Sequence, residues 1–310
     1  LLVRVSDATA TVLGLKRGRL DAPMDTAYLM TYSRLASGKC LADCSFCTLS
    51  SSSRSSPDHL SRVRWMPYEL EVVRERLEDV GKSISRVCLQ VVNYPGFLDD
   101  VFSILEGLKA SRRVSVSTMP LGRVNYLRLK GAGVEKLTIP MDAATPALFD
   151  VHKSRGGFYS WERHEAAIRQ ALEVFGKGNV LTYLIVGLGE TDEEAVKFLL
   201  RFHKMGVEVA LHSFTPVPGL RISGAEAPTL ERYRWVQLAR YLIYRRGAAL
   251  ENFVFRGGSL VGTDGFPDIE ELQASPDPYL TTGCPSCNRP FYNERASGPL
   301  YNLPSVPSRG

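Results

Sequence analysis

The sequence predicts an α/β protein whose strands run parallel and are joined by helical crossovers. Two observations predict it. Between Ala27 and Arg246, short β-rich runs alternate with stretches of helical periodicity, the mark of repeated strand–helix units. Within that span Val180 to Val186 (VLTYLIV) is apolar almost throughout, as a strand covered on both faces has to be. Six units are read there, fewer than the eight of a complete (βα)8 barrel, so the expectation is an α/β barrel short of the full count or an open sheet. The chain divides into an N-terminal extension (1–26), the alternating region (27–246) and a C-terminal extension (247–310).

Each element has its own warrant. The stretch to Asp25 has weak periodicity, and Ala27 to Tyr32 (AYLMTY) reads as the first strand. Ser50 to Ser56 holds six serines in seven positions and reads as a solvated connector. Pro67 opens a helical pattern that runs through Val80 to a stop at Gly81. Strands follow at Ile84–Val92, Val114–Thr118 and Lys136–Pro140, with helices at Leu98–Ala110, Leu121–Lys130 and Trp161–Phe175. After the apolar strand, Thr191 to Met205 is a helix that starts with a capping box, Thr191 with Glu194. Val207–Ser213 is a sixth strand and Leu230–Arg246 a long amphipathic helix. Beyond Pro267 the chain is rich in Pro, Gly, Asn and Ser, and an irregular course is expected.

Composition narrows the function. A net charge of +5 over 310 residues, with no basic tract, argues against a nucleic-acid partner. No apolar run nears the ~20 residues that span a bilayer, so no membrane is expected. Arg4, Asp7, Lys16, Arg17 and Arg19 interrupt the first twenty residues, which excludes a secretory core there and predicts a cytoplasmic chain. Five of the six cysteines fall in two tight clusters, and clustered thiols in a reducing compartment are metal ligands more often than disulfide partners.

Cys40, Cys44 and Cys47 form C-x3-C-x2-C, three thiols in eight residues just after the first strand. Three such ligands cannot complete a four-ligand zinc site, but they can hold three corners of a [4Fe–4S] cubane and leave one iron open. Burial as small hydrophobes and a partial zinc site are the competing readings, and the spacing disfavours both. With Phe46 before the third cysteine, this loop resembles the signature of the radical S-adenosylmethionine (SAM) superfamily. The resemblance covers about Ala27 to Arg246 and implies a partial (βα)6 TIM-type barrel. It also implies a cluster whose open iron chelates SAM, from which one electron releases a 5′-deoxyadenosyl radical.

Other positions resemble the same superfamily. Leu184 to Glu190 (LIVGLGE), with Gly187 and Glu190, is similar to its adenine-contact motif. Asp142 is similar to a ribose-binding acid of the biotin synthase branch, and would otherwise be a helix cap ahead of Thr145–Pro146. Arg155 is the candidate for the methionine carboxylate, since a guanidinium grips a carboxylate with two bonds. One departure stands out: Gln90-Val-Val-Asn93 occupies the place of the superfamily's acidic second-strand motif.

Three cysteines remain. Cys284-Pro-Ser-Cys287 is a knuckle that presents two thiols to one metal, and the five histidines lie far from it in sequence. Cys88, inside the second strand, reads alone as a core hydrophobe; with the knuckle it makes a second three-thiol set for an auxiliary [4Fe–4S] cluster, its fourth ligand a tail serine, a tail arginine or none. Cys88 resembles an auxiliary-cluster cysteine of biotin synthase, but Val114–Thr118 and Asn179–Tyr183 lack the other two. The tail from Cys284 to Asn302 resembles archaeal biotin-synthase-like proteins, among them components of the two-component lipoyl synthase. That resemblance implies sulfur insertion into a protein-bound octanoyl chain. Its partners would be an octanoylated lipoyl-carrier domain, a second synthase component and an electron donor such as ferredoxin. The alternatives are another C–H reaction with an auxiliary cluster, as in biotin synthase, and a non-catalytic iron–sulfur or zinc protein. Asn288-Arg-Pro and Tyr292-Asn-Glu294 read as tail-pinning motifs, and Trp65, Trp161 and Trp235 as packing residues.

Overall fold

The computed structural model describes residues 1–108, 112–222, 224–295 and 297–305. In chain order it contains β1 (Leu2–Ser6), α1 (Asp7–Val12), β2 (Thr26–Thr31), β3 (His59–Leu60), β4 (Val63–Glu69) and α2 (Leu70–Asp79). Next come β5 (Arg86–Gln90), α3 (Phe97–Gly107), β6 (Arg113–Ser117), α4 (Arg123–Gly131), β7 (Val134–Thr138), α5 (Pro146–His152) and α6 (Trp161–Phe175). The chain continues through β8 (Val180–Val186), α7 (Asp192–Met205), β9 (Glu208–Ser213) and α8 (Leu230–Arg246) to β10 (Phe253–Arg256), β11 (Ser259–Thr263) and α9 (Ile269–Ala274).

Strands β2, β5, β6, β7, β8 and β9 are neighbours in that order and pair in parallel. An order that never reverses curls a parallel sheet in one direction, and here it makes the half-barrel that the six units predict. The helices start where hydroxyl side chains satisfy free amides: Ser160 accepts from Arg163, Thr229 from Arg232, and Thr191 forms the expected capping box with Glu194. Apolar faces of strands and helices merge into one continuous core that includes Val87, Leu137, Leu184, Phe198 and Leu242. A second, smaller cluster lies around Tyr28, Met30, Trp65 and Tyr94, and Cys40, Cys47, Cys88 and Cys287 pack against it.

Two expectations, for Pro67 and for the serine stretch, are corrected, and several elements had not been expected. Pro67 does not open a helix: it sits in β4 opposite Arg4 of β1, beyond the reach of β3, where the missing N–H breaks no ladder bond on the free side. The first 25 residues are ordered, with β1 antiparallel to both β2 and β4. The serine stretch is solvated only in part: Ser51, Ser52 and Ser56 are exposed, but Ser50 and Ser53 are buried and the Arg54 amide donates to the Gly219 carbonyl at 2.8 Å, so it is tied down. The hairpin β10–β11 and helix α5 were not anticipated. Lys109 and Ala110, the end of the helix expected at Leu98–Ala110, lie outside the described residues. Among the described residues no helix is long and apolar enough to cross a membrane.

Candidate active site

The cysteine loop begins where β2 ends, at the C-terminal mouth of the half-barrel. The Cys40 amide donates to the Leu49 carbonyl (2.8 Å) and the Leu41 amide to that of Asn93 (2.8 Å), so the loop is stitched to itself and to the end of β5. His152, the last residue of α5, adds a third tie. Its Nε2–H donates to the Leu188 carbonyl (2.8 Å), which leaves Nδ1 to accept the Ser45 hydroxyl (2.8 Å). Burial holds this imidazole's pKa below its ordinary value, in keeping with a neutral ring.

The loop opens on a cavity of about 230 Å³, walled by Phe46, Gln90, Asn93, Asp142, Lys153 and Tyr292 among others. Burial pushes the thiols up, Cys47 to about 12, and Cys44 well above its usual range despite the pull of nearby Lys153. Thiols desolvated in this way become thiolates only beside a cation, which cluster iron supplies. Among the described residues no three His, Cys, Asp or Glu side chains converge at the spacing of a single metal ion. Three thiols at one mouth can hold three corners of a cubane and leave its fourth iron open, whereas a structural zinc site takes four ligands.

Deeper in the barrel lies a second cavity of about 70 Å³, lined by Cys88, Cys284 and Cys287. The structure thus brings together thiols almost two hundred residues apart in the chain. Burial and the neighbouring Cys284 and Cys287 push the Cys88 thiol far up, and burial and Cys287 push Cys284 to about 11. Two of the three sulfurs are held from the side: the Gln90 amide donates to Cys88 at 3.2 Å, and the Tyr28 hydroxyl lies 3.5 Å from Cys287. Gly283, at φ 141°, lets the knuckle turn tightly, since a Cβ there would meet the Cys287 sulfur at 3.3 Å. Arg289 enters the same cavity, with its guanidinium against the His212 ring and on the carbonyls of Leu211 (3.2 Å) and Thr282 (3.0 Å). Its Nε is buried without a partner.

The two cavities share the walls Gln90, Tyr183, His212 and Tyr292. The outer one is bounded by C-terminal strand ends such as Gln90 and Ser213, the inner one by starts such as Thr26 and Arg86. The thiol sets therefore sit in series along the barrel axis.

The remaining candidate residues divide. Phe46 and Asp142 face the outer cavity; Asp142, at φ 67°, accepts from Lys153 Nζ at 2.8 Å. The Arg155 side chain is 62% exposed, pairs with Asp43 at 3.3 Å and is not among the cavity's lining residues. Glu190 is buried against its own turn and accepts from the amides of Gly187 (2.8 Å) and Leu188 (2.9 Å) and from Arg232 (2.7 Å). Sequence reasoning missed Lys153, the buried cation of the site, two positions before Arg155 in the same basic loop. It also missed Tyr183 and His212, which look like ordinary strand residues. Tyr292 was visible only as part of the tail motif.

A parallel half-barrel with a thiol triad at its C-terminal mouth defines a barrel enzyme built around an iron–sulfur cofactor. Residues 36–202, more than half of the chain, match the model of the Radical SAM superfamily, and the chain belongs to that superfamily. Membership implies a [4Fe–4S] cluster and SAM. The chain is 24% identical over 283 residues to the biotin synthase of Maridesulfovibrio salexigens, covering 80% of this chain and 82% of that protein. It is 23% identical over 192 residues to the biotin synthase of a Hydrogenobaculum species, covering 59% of this chain and 54% of that one. Among solved structures it resembles the FeFe-hydrogenase maturase HydG from Carboxydothermus hydrogenoformans, with a TM-score of 0.53 and 18% identity over 76% of this chain and 54% of HydG. It also resembles methylornithine synthase (PylB), with a TM-score of 0.52 and 16% identity over 76% of this chain and 66% of PylB. The chain thus spans about half the length of HydG and of the second biotin synthase, and at these identities the structural likenesses show the fold alone.

Proposed function

We propose that this chain inserts sulfur into an unactivated carbon, as a lipoyl synthase component acting on an octanoyl chain carried on a lysine of a partner domain. The observation that carries the reading is the meeting of Cys88, Cys284 and Cys287 in one cavity that shares walls with the cavity of the first thiol triad. On this reading Cys40, Cys44 and Cys47 hold the SAM-binding cluster, and the inner three hold a second, sulfur-donating [4Fe–4S] cluster. When bound, the first cluster and SAM supply the 5′-deoxyadenosyl radical that takes a hydrogen atom from carbon.

The protein's own residues bind and orient. Asp142, held by Lys153, presents a carboxylate to the outer cavity, where it suits the hydroxyls of a ribose. Lys153 is the buried cation placed to meet a carboxylate, and Arg155 stays at the rim beside Asp43. Tyr183, His212 and Tyr292 pack edge to face, with centroids 4.9 and 5.6 Å apart, and line the passage between the cavities with apolar ring surface that excludes water from an alkyl chain. The biotin synthase relatives support sulfur insertion as the reaction type. They equally support a free small substrate, a second reading; against it, β6 and β8 carry no cysteine to complete that enzyme's auxiliary set.

The test is iron, acid-labile sulfide and zinc per chain after anaerobic reconstitution, wild type beside a Cys284→Ala/Cys287→Ala variant. Two cubanes give about eight iron and eight sulfide, falling to about four of each in the variant. Four iron in both proteins, with zinc lost from the variant, would overturn the sulfur-donor reading. An octanoyl-lysyl peptide then separates a carried substrate from a free one.

A further inference from the structure

A third concavity lies just outside the mouth. It is a groove of about 1080 Å³ formed by the serine stretch (Ser52, Arg54), the β3–β4 turn (Ser61, Arg62) and the loop after β9 (Gly219, Arg221). Ser61 lines both this groove and the outer cavity, so one opens into the other. The groove is built rather than incidental. The Arg54 amide and the Ser53 hydroxyl both donate to the Gly219 carbonyl (2.8 and 3.2 Å), and the Ser55 hydroxyl donates to Pro218 (2.5 Å). At Gly219, φ is +87°, and a Cβ would fall 2.6 Å from the Ser55 nitrogen, so only glycine closes this contact.

Its charge is one-sided. Arg54, Arg62, Arg221 and His59 line it, and none of its described lining residues is acidic. Arg295 adds a further positive charge beside Arg62. Three carboxyl groups lie near: Asp43, 9% exposed and already shared by Arg155 and Arg221, Asp58, which pairs with Arg4, and the buried Glu294, which acts on Arg62 from beneath the rim. The Arg62 guanidinium also donates to the Phe291 and Glu294 carbonyls, which fixes it beneath the rim. Arg54 is exposed and forms no side-chain bond among the described residues.

Hydroxyls and guanidinium groups do not suit an alkyl chain; they suit carboxylates, which arginine grips with paired bonds. None of the lining residues is Phe, Tyr or Trp, so the groove lacks the stacking platform of a single-stranded nucleic-acid site. We infer that this groove docks the acidic face of the carrier domain, so that its acylated lysine enters the outer cavity past Ser61. The inference rests on the proposed substrate class and adds where, and by what chemistry, the carrier is held.

The test is the association rate of a fluorescently labelled lipoyl-carrier domain with the anaerobically reconstituted enzyme, read across a salt series. Octanoylated and unacylated carriers and a single-stranded oligonucleotide serve as probes. Both carrier forms are expected to bind with rates that fall as salt rises. Arg54→Glu is expected to slow association about tenfold and flatten the salt dependence, while Arg54→Lys keeps most of it. Arg256→Glu, on β10 outside the groove, is expected to change neither. Equal rates for wild type and Arg54→Glu would overturn the docking site, as would carrier binding that requires the octanoyl chain, or displacement of the carrier by the oligonucleotide. The two proposals fail separately. Salt-sensitive docking lost in Arg54→Glu without a second cluster leaves the groove and removes the sulfur donor; two clusters with docking indifferent to Arg54 does the reverse.

Discussion

Glu190 shows how much a single carboxylate can fix. Gly187 stands at φ 108°, and a Cβ there would meet Pro228 and Phe214 at 3.0 and 3.1 Å, so the turn after β8 is both left-handed and closely packed. The two Glu190 oxygens accept from the amides of Gly187 and Leu188 and from the Arg232 guanidinium. Resemblance cast Glu190 among the residues that position SAM; the structure has it shaping the loop that would do so. Glu190→Gln turns an acceptor into an NH2 group aimed at a donor. The expected cost is about 2 kcal/mol, by the worth of hydrogen bonds to a charged group. A urea midpoint equal to that of the wild type would show that the turn does not depend on the carboxylate.

At the scale of elements, the tail is held by many single bonds and contains a costly carboxyl group. Asn293 donates to the Ser213 carbonyl (2.9 Å), Asn288 to that of Pro23 (2.6 Å), and the Arg289 amide to the Tyr28 hydroxyl (2.9 Å). Glu294 is 6% exposed and has one carboxylate oxygen without a partner. Burial raises its pKa to about 7, with Arg289 pulling only partly the other way, against 4.5 for an unperturbed carboxyl. Between those values the folded chain binds the extra proton, so the stability Glu294 contributes is complete below pH 4.5 and is lost as pH rises through 7. Above that the ionised form costs the fold about 3 kcal/mol. Glu294→Gln should therefore melt increasingly above the wild type from pH 5 to 7.5 and hold a constant margin beyond. A margin independent of pH would mean that Glu294 is ionised throughout.

The same elements show what was legible in the sequence. All six parallel strands were, β8 because burial on both faces leaves a run of apolar residues and the others because short β-rich runs alternate with helical stretches; α6 and α8 matched to the residue because Ser160 and Thr229 cap them. Pro67 misled because a proline at a helix start and one on a strand edge look alike locally and differ only in a partner, β1, sixty residues earlier. The serine stretch misled because composition cannot tell a hydroxyl in water from one that closes a turn. In the site, both thiol sets were legible from cysteine spacing and count. The choice of Lys153 or Arg155 as the cation of the cavity was not, because it depends on which side chain the chain buries.

Across the whole molecule, the tail joins β5, β8 and β9 in lining both cavities: Gly283, Cys284 and Cys287 line the inner one, Asn293 the outer one, and Tyr292 both. On the proposed reading, the tail would also decide where a substrate carbon stops between hydrogen abstraction at the mouth and the second thiol set deeper in. The half-buried Tyr292 ring packs edge to face on His212 and its phenol is pushed above its ordinary range by desolvation, so it stands as a neutral wall. Tyr292→Ala widens the passage between the cavities of about 230 and 70 Å³ without removing a cysteine or any residue of the groove outside. Iron and sulfide content should then stay at the wild-type level, and 5′-deoxyadenosine should still form. The carbon radical would lose its fixed place before the second thiol set, so the ratio of 5′-deoxyadenosine to sulfurated product should rise at least about tenfold, the penalty for a misplaced reacting atom. Tyr292→Phe keeps the wall and should keep the ratio. A ratio unchanged in Tyr292→Ala would mean that the substrate is aligned by something other than the tail, and the passage between the cavities would lose its claim to be the substrate path.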